Sequence, residues 1–484
     1  MGQDKILGKM RVMNTASVIA NSGVVFGTSG ARGLVEQFTD EVCAAFTVAF
    51  IAVMQREFSF SRLVLGIDRR PSSPDMARAC AAAAASMGVE VEFCGVLPTP
   101  ALALQATNSR TPAIVITGSH IPFDRNGIKF YRPDGEITKD DEGEMVAATI
   151  EMPGAANTHA LPEQNDMALS HYMQRYLNFF PENMLTGLKI GFYQHSSVAR
   201  DLLTELLETL GADVVPLERT DTFVPIDTEA VSEEDRARGR RWAKEYKLDA
   251  LLSTDGDADR PLIGDENGDW LRGDVVGTLC AQYLHAAAVA TPVSSTTAIE
   301  RCGAFKRVIR TRIGSPYVIE GMEQAVNDGH SPVVGFEANG GFLLASRLER
   351  NGSVLEPLPT RDAVLPILAL LAMAQEKACP VSALSSELPQ RFTASDRLQD
   401  FAHERSTALL ENLSRQPGIL AELFGAVRNT DTTDGQRITF ESGEVIHLRR
   451  SGNAPELRCY AEADTQERAS ELVNEVLTIV AKRW

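Results

Sequence analysis

The sequence predicts an α/β protein of three or four domains, built on parallel sheets covered by helices. Three observations carry this expectation. The chain has 484 residues, against a nominal domain of about 150. Strand-like and helix-like segments alternate along most of it. One stretch, residues 188–217, runs strand, helix, strand without interruption. There LKIGFY reads as a strand, VARDLLTELLETLG as a helix closing on Gly211, and ADVVPL as a second strand. Such a βαβ unit favours parallel pairing, because the crossover helix must pack back on the sheet.

Further elements fit the same scheme. Leu63–Asp68 is an apolar run, followed by an alanine-rich helix over Met76–Met87 and strands over Val89–Phe93 and Ala113–Thr117. Ala250–Ser253 runs into an aspartate cluster, and Val333–Phe336 runs towards an Asn-Gly-Gly turn. Ligands of open parallel sheets bind at the carboxyl ends of strands, so these loops are the informative ones. Met152–Asp166 has the small, polar, proline-bearing composition of a linker, and Asp265–Asp269 closes another segment. Pro380–Asp400 is broken by proline and serine; beyond it, Ile438–Phe440 and Val445–Leu448 read as strands and Ala469–Arg483 as a final helix.

Composition narrows the function. With 44% hydrophobic and 23% charged residues the chain is an ordinary globular one. Lys and Arg number 47 against 65 Asp and Glu, a formal charge of −18. Such a surface repels nucleic acid and anionic membranes, so neither is an expected partner. Cys43, Cys80, Cys94, Cys280, Cys302, Cys379 and Cys459 are odd in number, widely spaced and without a CxxC pair. That reads as reduced thiols rather than disulfides or zinc ligands. The opening MGQDKILGKM has no secretory pattern, and its sixth residue, Ile6, is not the Ser or Thr of a myristoylation signal. The apolar run around Ile367–Ala374 is too short to span a bilayer. A cytoplasmic protein is expected.

Four loops carry chemistry. In Thr117-Gly118-Ser119-His120-Ile121-Pro122, a serine follows a strand and a glycine. Alone this is better read as an ordinary turn, but a free serine, a poor nucleophile without a base, is a good phosphoryl carrier when other groups stabilise the transferring charge. In Asp255-Gly256-Asp257-Ala258-Asp259-Arg260, three carboxylates alternate. If the loop is extended they point the same way, and three hard oxygen ligands describe Mg²⁺ better than zinc or iron. A solvated acidic turn is the plainer alternative, disfavoured because packed like charges repel without a cation. An EF-hand is excluded by Arg260, where that loop needs glycine. In Gly335–Gly341, Glu337 and Asn339 could hold a sugar diol, although by itself the segment is better read as a hairpin turn. Finally, Arg449-Arg450-Ser451-Gly452-Asn453-Ala454-Pro455-Glu456-Leu457-Arg458 sets arginines around a Ser-Gly-Asn turn, a local positive knot suited to a phosphate.

Together these loops match, in order and spacing, the α-D-phosphohexomutase superfamily. The resemblance runs from Phe26-Gly27-Thr28-Ser29-Gly30-Ala31-Arg32-Gly33 to the C-terminus, through the serine loop with Asn126-Gly127-Ile128-Lys129 behind it and through DGDADR. It implies four domains in a heart-shaped arrangement around a central cleft: three related α/β domains and a smaller α+β C-terminal one. The boundaries expected here are 1–165, 166–271, 272–383 and 384–484. By the same resemblance Ser119 is the phosphoserine with His120 beside it, and Asp255, Asp257 and Asp259 hold Mg²⁺ against its phosphate. Arg32 and Lys129 assist proton transfer, and Arg260 contacts the same region. Arg312, Gly314 and Ser315 orient substrate, Glu337 and Asn339 hold sugar hydroxyls, and Arg449, Ser451, Gly452, Asn453 and Arg458 bind the phosphate that is not reacting.

The implied activity interconverts hexose 6-phosphate and hexose 1-phosphate through hexose 1,6-bisphosphate. The substrate is a phosphorylated hexose, and the protein is a monomer or weak homodimer. A phosphomannomutase that also acts on glucose phosphates is expected. The rival is a phosphoglucosamine mutase, disfavoured because GFEANGG lacks the serine and histidine usual in that enzyme. A non-catalytic sugar-phosphate sensor would need neither Ser119 nor three aspartates, and a phosphatase would not need a second phosphate loop. Several positions depart from the resembling proteins: Gly118 and Ile121 stand for alanine and asparagine in the serine loop, Gly341 stands for a histidine that is a proton-transfer candidate, and Asn453 and Ala454 stand for threonine and glutamate in the phosphate loop.

Overall fold

The strand–helix–strand expectation at residues 188–217 is met by Lys189–Tyr193, Arg200–Thr209 and Asp213–Leu217, with the two strands paired in parallel. Leu202, Leu203, Leu206 and Leu207 form the buried stripe of the helix, and Gly211 takes the left-handed φ of +99° that lets the chain reverse after it. These features come from a computed structural model that describes residues 13–27, 29–152, 160–350, 352–416, 421–422, 424–451 and 455–483. Much of the linker expected at Met152–Asp166 lies outside the described residues, as do Gly452 and Asn453.

The chain forms two compact units. The first is built on Gly30–His171, with the strand Val25–Phe26. Its sheet runs in the order 25–26, 31–34, 125–132, 113–116, 62–67, 90–96. Arg62–Ile67, Glu90–Val96 and Ala113–Ile116 are parallel, while Arg125–Arg132 returns antiparallel. Helices Asp40–Met54 and Ser73–Ser86 pack together beside it. Small side chains at Ala77, Ala81 and Ala84 let the helix come close to the core aromatics Phe46 and Phe50.

The second unit begins at Tyr172 and also takes in Gly27 and Ser29. It contains a four-stranded sheet, a five-stranded mixed sheet and a five-stranded antiparallel sheet. In the mixed sheet Ala288–Pro292 pairs in parallel with Arg307–Thr311 and Val333–Phe336. Helix Val364–Lys377 is buried from Val364 through Ala374. Its long apolar run is therefore an interior helix, and among the described residues no helix is long and apolar enough to cross a membrane.

Two expectations change. The α/β sheets are not purely parallel, because the strand entering each candidate loop is followed by an antiparallel return: Ala113–Ile116 by Arg125–Arg132, Ala250–Thr254 by Pro261–Gly264, and Val333–Phe336 by Phe342–Leu344. The reason is length. A parallel crossover takes about a dozen residues or more, and these loops are too short to hold one. The second change is at Pro380–Asp400, which forms helix Val381–Ser386 and then the edge strand Phe392–Leu398, paired along its length with Leu457–Ala463.

A buried carboxylate ties several elements of the second unit. Asp362, 2% exposed, accepts from Tyr172 Oη at 2.6 Å, from Tyr176 Oη, and from Val364 N at 2.8 Å. Burial pushes both phenols well above their ordinary range, which keeps them as donors. Asp362→Ala leaves two buried hydroxyls without an acceptor and is expected to cost about 3–5 kcal/mol, whereas Tyr172→Phe costs about 1–2 kcal/mol. Urea denaturation checks the order; equal costs would show that the hydroxyls do not depend on Asp362.

Candidate active site

The serine loop lies in the first unit. Ser119 is 2% exposed and adopts a left-handed φ of +52°, a conformation a non-glycine residue holds only when its surroundings impose it. They do so through hydrogen bonds: Ser119 N donates to Thr117 Oγ1 at 2.8 Å, Gly118 N to Asp68 Oδ2 at 3.1 Å, and Arg70 Nη2 to Ser119 O at 3.2 Å. The guanidinium of Arg70 also donates to Ile121 O at 2.5 Å and to Pro122 O and Arg125 O at 2.8 Å, so one buried side chain fastens the whole loop. Asp68 pairs with Arg70 at 3.3 Å, and burial raises its carboxyl above the usual value against the pull of that arginine. A Cβ on Gly118 would sit 2.2 Å from Arg70 Cζ. In this pose Arg70 and an alanine at 118 exclude each other, which accounts for the departure there.

The other residues expected near the serine are in the same unit. Ser119 Oγ and His120 Nδ1 lie 3.3 Å apart. Arg32 Nη1 donates to Thr117 O, and Arg32 pairs across the sheet with Gly127, whose missing Cβ leaves room for its stem. Lys129 is 2% exposed and sits opposite Val115 on the strand leading to the loop.

Asp255, Asp257 and Asp259 occupy a hairpin turn in the second unit, between Ala250–Thr254 and Pro261–Gly264. Each offers an oxygen within 4.8 Å of the others, and all three are buried. Their convergence has a different origin from the extended loop expected. The segment is a tight turn, with Asp255 N donating to Arg260 O at 3.1 Å and Ala258 at a φ of +54°. Asp255 Oδ1 accepts from the backbone N–H of Asp259 and of Arg260, both at 3.2 Å. Arg260 lies 3.5 Å from Asp259 Oδ1 and 3.9 Å from Asp255 Oδ2.

Glu337 and Asn339 lie on the adjoining turn, 3% and 6% exposed. This loop is the hairpin expected of it, with Phe336 opposite Phe342 and Glu337 N donating to Gly341 O. It is internally fixed: Asn339 Oδ1 accepts from Gly341 N at 3.0 Å, and Thr228 Oγ1 donates to Asn339 O at 2.7 Å. Arg361, which no motif marked, joins the two turns. Its Nε and Nη2 donate to Asp259 Oδ2 at 3.1 and 3.0 Å, its Nη1 to Glu337 Oε2 at 3.1 Å, and its Nη2 also reaches Ser29 Oγ at 3.3 Å. Asp255, Asp257, Asp259 and Glu337 set four carboxylates against the guanidinium groups of Arg260 and Arg361, a formal excess of two negative charges. Hard oxygen donors with that excess fit a divalent cation of the Mg²⁺ type.

Arg312, Gly314 and Ser315 precede and open helix Ser315–Asn327. Gly314 has a φ of +131°, Ser315 is buried, and Arg312 Nε donates to Thr433 O at 3.2 Å. Arg449 and Arg458 face each other across the antiparallel strands Val445–Arg450 and Leu457–Ala463, which flank the loop expected to bind phosphate. Ser451 is buried and its N–H donates to Glu456 O at 2.9 Å. Arg449 Nε lies 3.4 Å from Asp434 Oδ2. Arg70, Asp68, Arg361 and Asp434 were missed from sequence because none lies inside a loop motif. The available signals were the glycines at 118 and 341, each marking a close approach.

Comparison with known proteins follows this geometry. Family profiles described as phosphoglucomutase/phosphomannomutase, alpha/beta/alpha domains I, II and III match residues 23–154, 170–268 and 272–392, and the profile for the C-terminal domain matches 399–479. The chain is 51% identical to a phosphomannomutase of Salmonella muenchen, covering 98% of both chains. It is 45% identical to a phosphomannomutase of Sinorhizobium fredii, covering 95% of this chain and 99% of that one. A phosphoglucosamine mutase of Brucella anthropi is 27% identical over 94% of this chain and 97% of its own. Among solved structures, a phosphoglucomutase/phosphomannomutase family protein of Burkholderia thailandensis superposes with a TM-score of 0.75 at 20% identity, over 94% of this chain and 96% of its own.

Two buried histidines give the second unit a pH dependence. His195 Nε2 lies 2.9 Å from Thr254 O, on the strand that enters the aspartate turn, and His447 Nε2 lies 2.5 Å from Asp434 O. Burial pushes each down to about 4. An unfolded histidine titrates near 6.5, so the unfolded chain binds more protons in between. Stability is therefore complete above about pH 6.5 and falls towards pH 4, by roughly 3 kcal/mol per histidine. Urea midpoints should drop between pH 7 and 5. His195→Asn, which keeps an N–H donor without the titration, should flatten part of that slope; an unchanged slope refutes the assignment.

Proposed function

Because this chain belongs to the phosphoglucomutase/phosphomannomutase family, we propose that it interconverts hexose 6-phosphate and hexose 1-phosphate, with mannose phosphates the main substrates and glucose phosphates also turned over. The observation that carries the reading is the aspartate turn: three buried carboxylates with oxygens within 4.8 Å, on the second of four loops whose chemistry matches carrier, metal, sugar and phosphate in chain order. The contrast between 51% identity to a phosphomannomutase and 27% to a phosphoglucosamine mutase favours the hexose over the amino sugar.

The chemistry follows from moving a phosphoryl group between two hydroxyls of one sugar. Phosphorylated Ser119 gives its phosphoryl group to the free sugar hydroxyl, forming hexose 1,6-bisphosphate. The sugar hydroxyl loses its proton, and Ser119 Oγ becomes a hydroxyl again. The bisphosphate then turns round and returns its other phosphoryl group to Ser119. Arg32 and Lys129 neutralise charge and help move the proton, with His120 beside the carrier and Arg260 closing the metal turn. Mg²⁺ held by Asp255, Asp257 and Asp259 supplies, when bound, charge neutralisation of the transferring phosphoryl oxygens. Glu337 and Asn339 grip sugar hydroxyls, Arg312, Gly314 and Ser315 orient the ring, and Arg449, Ser451, Gly452, Asn453 and Arg458 hold the idle phosphate. Fixed donors and cations aimed at developing charge provide most of the acceleration in such a reaction.

Ser119 should carry a phosphoryl group in the active protein, read as intact mass before and after treatment with glucose 1,6-bisphosphate. Ser119→Ala should abolish the mass shift and lower turnover by orders of magnitude, as should Asp257→Asn by removing a metal ligand. Near-normal turnover in Ser119→Ala, or activity indifferent to EDTA, overturns the mechanism.

Substrate choice is tested by kcat/KM for mannose, glucose and glucosamine phosphates. Glu337 and Asn339 grip hydroxyls away from C2, and the phosphate loop reads charge. A C2 epimer without a dedicated hydrogen-bond partner is discriminated by only about 1–3 kcal/mol. Glucosamine 1-phosphate outrunning both hexose phosphates by about tenfold (1.4 kcal/mol) overturns the reading.

A further inference from the structure

We propose that Arg361 is a positioning residue that couples the sugar grip to the metal turn, and that Gly341 is glycine because Arg361 occupies the space above it. The proposal rests on the functional reading above. Arg361 is 3% exposed, on the strand Leu358–Asp362, outside all four loop motifs. Its two prongs reach different turns: Nη1 to Glu337 Oε2 at 3.1 Å, and Nε with Nη2 to Asp259 Oδ2 at 3.1 and 3.0 Å. A planar guanidinium can satisfy two carboxylates at fixed angles, whereas a lysine ammonium is a point charge on a flexible stem. The bridge therefore sets Glu337 relative to Asp259 as well as neutralising both.

Gly341 is the other half of the device. A Cβ there would lie 2.6 Å from Arg361 Cδ, 2.7 Å from Cγ and 3.1 Å from Cβ. These atoms belong to the stem of the side chain and not to its free end, and the end is held by the two turns. Any side chain at 341 must push the stem aside and break the bridge. The backbone at Gly341 is not left-handed, so strain there does not explain the glycine. The position where resembling proteins carry histidine is thus filled here by a cation that cannot exchange protons near neutrality. Arg361 holds the sugar-binding carboxylate in place and takes no proton.

The test uses the full chain as wild type, Arg361→Gln, Gly341→Ala, Arg361→Ala and the Arg361→Ala/Gly341→Ala pair. Three quantities are read: KM and kcat for mannose 1-phosphate, Mn²⁺ affinity by electron paramagnetic resonance without sugar, and thermal midpoint. Arg361→Gln should raise KM at least tenfold and weaken Mn²⁺ binding severalfold. Gly341→Ala alone should shift both in the same direction, yet add less than twofold to either in the Arg361→Ala background, because its neighbour is already gone. A variant that merely misfolds would lower apparent kcat through a smaller active fraction while leaving KM unchanged, and that result overturns the proposal. So does a folded Arg361→Gln within twofold of wild type in KM and Mn²⁺ affinity, or a Gly341→Ala effect that multiplies independently with Arg361→Ala. If Arg361→Gln is insoluble, Gly341→Ala decides alone by the same criteria. Failure of the functional reading is separate: wild type would then turn over no hexose phosphate, while Mn²⁺ affinities still report on the bridge.

Discussion

Three like charges held within 4.8 Å and shielded from water are the constraint on which the second unit's chemistry depends. A buried carboxylate is tolerated only with hydrogen bonds and counter-charge around it. The aspartate turn meets the requirement in layers. Backbone N–H groups of Asp259 and Arg260 point at Asp255, Arg260 lies against Asp255 and Asp259, and Arg361 arrives from another strand to hold Asp259 from a second side. The formal charge left over after these contacts is what a divalent cation would supply. Tight packing follows from the same need: Gly273, for example, has no room for a Cβ, which would lie 2.2 Å from Gly340 N.

The hairpin is the device that makes such loops possible. A strand ending in a sheet delivers its carboxyl-terminal residues to a fixed place, and an immediate antiparallel return fixes the far side of the loop as well. Ala250–Thr254 with Pro261–Gly264 and Val333–Phe336 with Phe342–Leu344 bracket their turns in this way, and so does the strand pair flanking the serine loop within its own unit. Short loops between paired strands have few conformations to lose, so functional groups on them need less ordering when a ligand binds.

The loops were legible in the sequence because their chemistry is local: Asp255, Asp257 and Asp259, or Arg449 and Ser451, stand within a few residues of one another. The βαβ unit at 188–217 was legible because a helical stripe and flanking apolar runs are periodic signals. The return strands were not, since Pro261–Gly264 and Phe342–Leu344 are too short to show a period and follow turns that a crossover could equally have left. The convergence of the three aspartates was expected from an extended loop and arises instead from a tight turn, because alternation in sequence implies one face only in an extended chain, and Ala258 folds this one back. Arg70 and Arg361 stayed hidden for a different reason. Each acts across a large sequence distance on backbone or carboxylates it never neighbours, and composition carries no mark of that. The glycines opposite them were visible, but a glycine states only that something comes close.

The arginines of the second unit are also graded in how firmly they are committed. Arg361 is buried and its prongs meet carboxylates at 3.0–3.1 Å. Arg449 is more open and lies 3.4 Å from Asp434, while Arg458 is 39% exposed and 3.9 Å from Glu456. A long, partly exposed pair such as that of Arg458 is worth little, so under the proposed function a phosphate could take its place at small cost. A buried fork bridging two carboxylates cannot be exchanged so easily, because removing one partner leaves a charge uncompensated. This division suits a ligand that is held in two orientations. On the proposed mechanism, groups that set metal and sugar geometry would stay in place through both half-reactions, whereas groups that hold the idle phosphate would release and regrip it. A chain of charge −18 therefore places a tightly bound cation beside the aspartate turn and more open ones on the strands carrying Arg449 and Arg458.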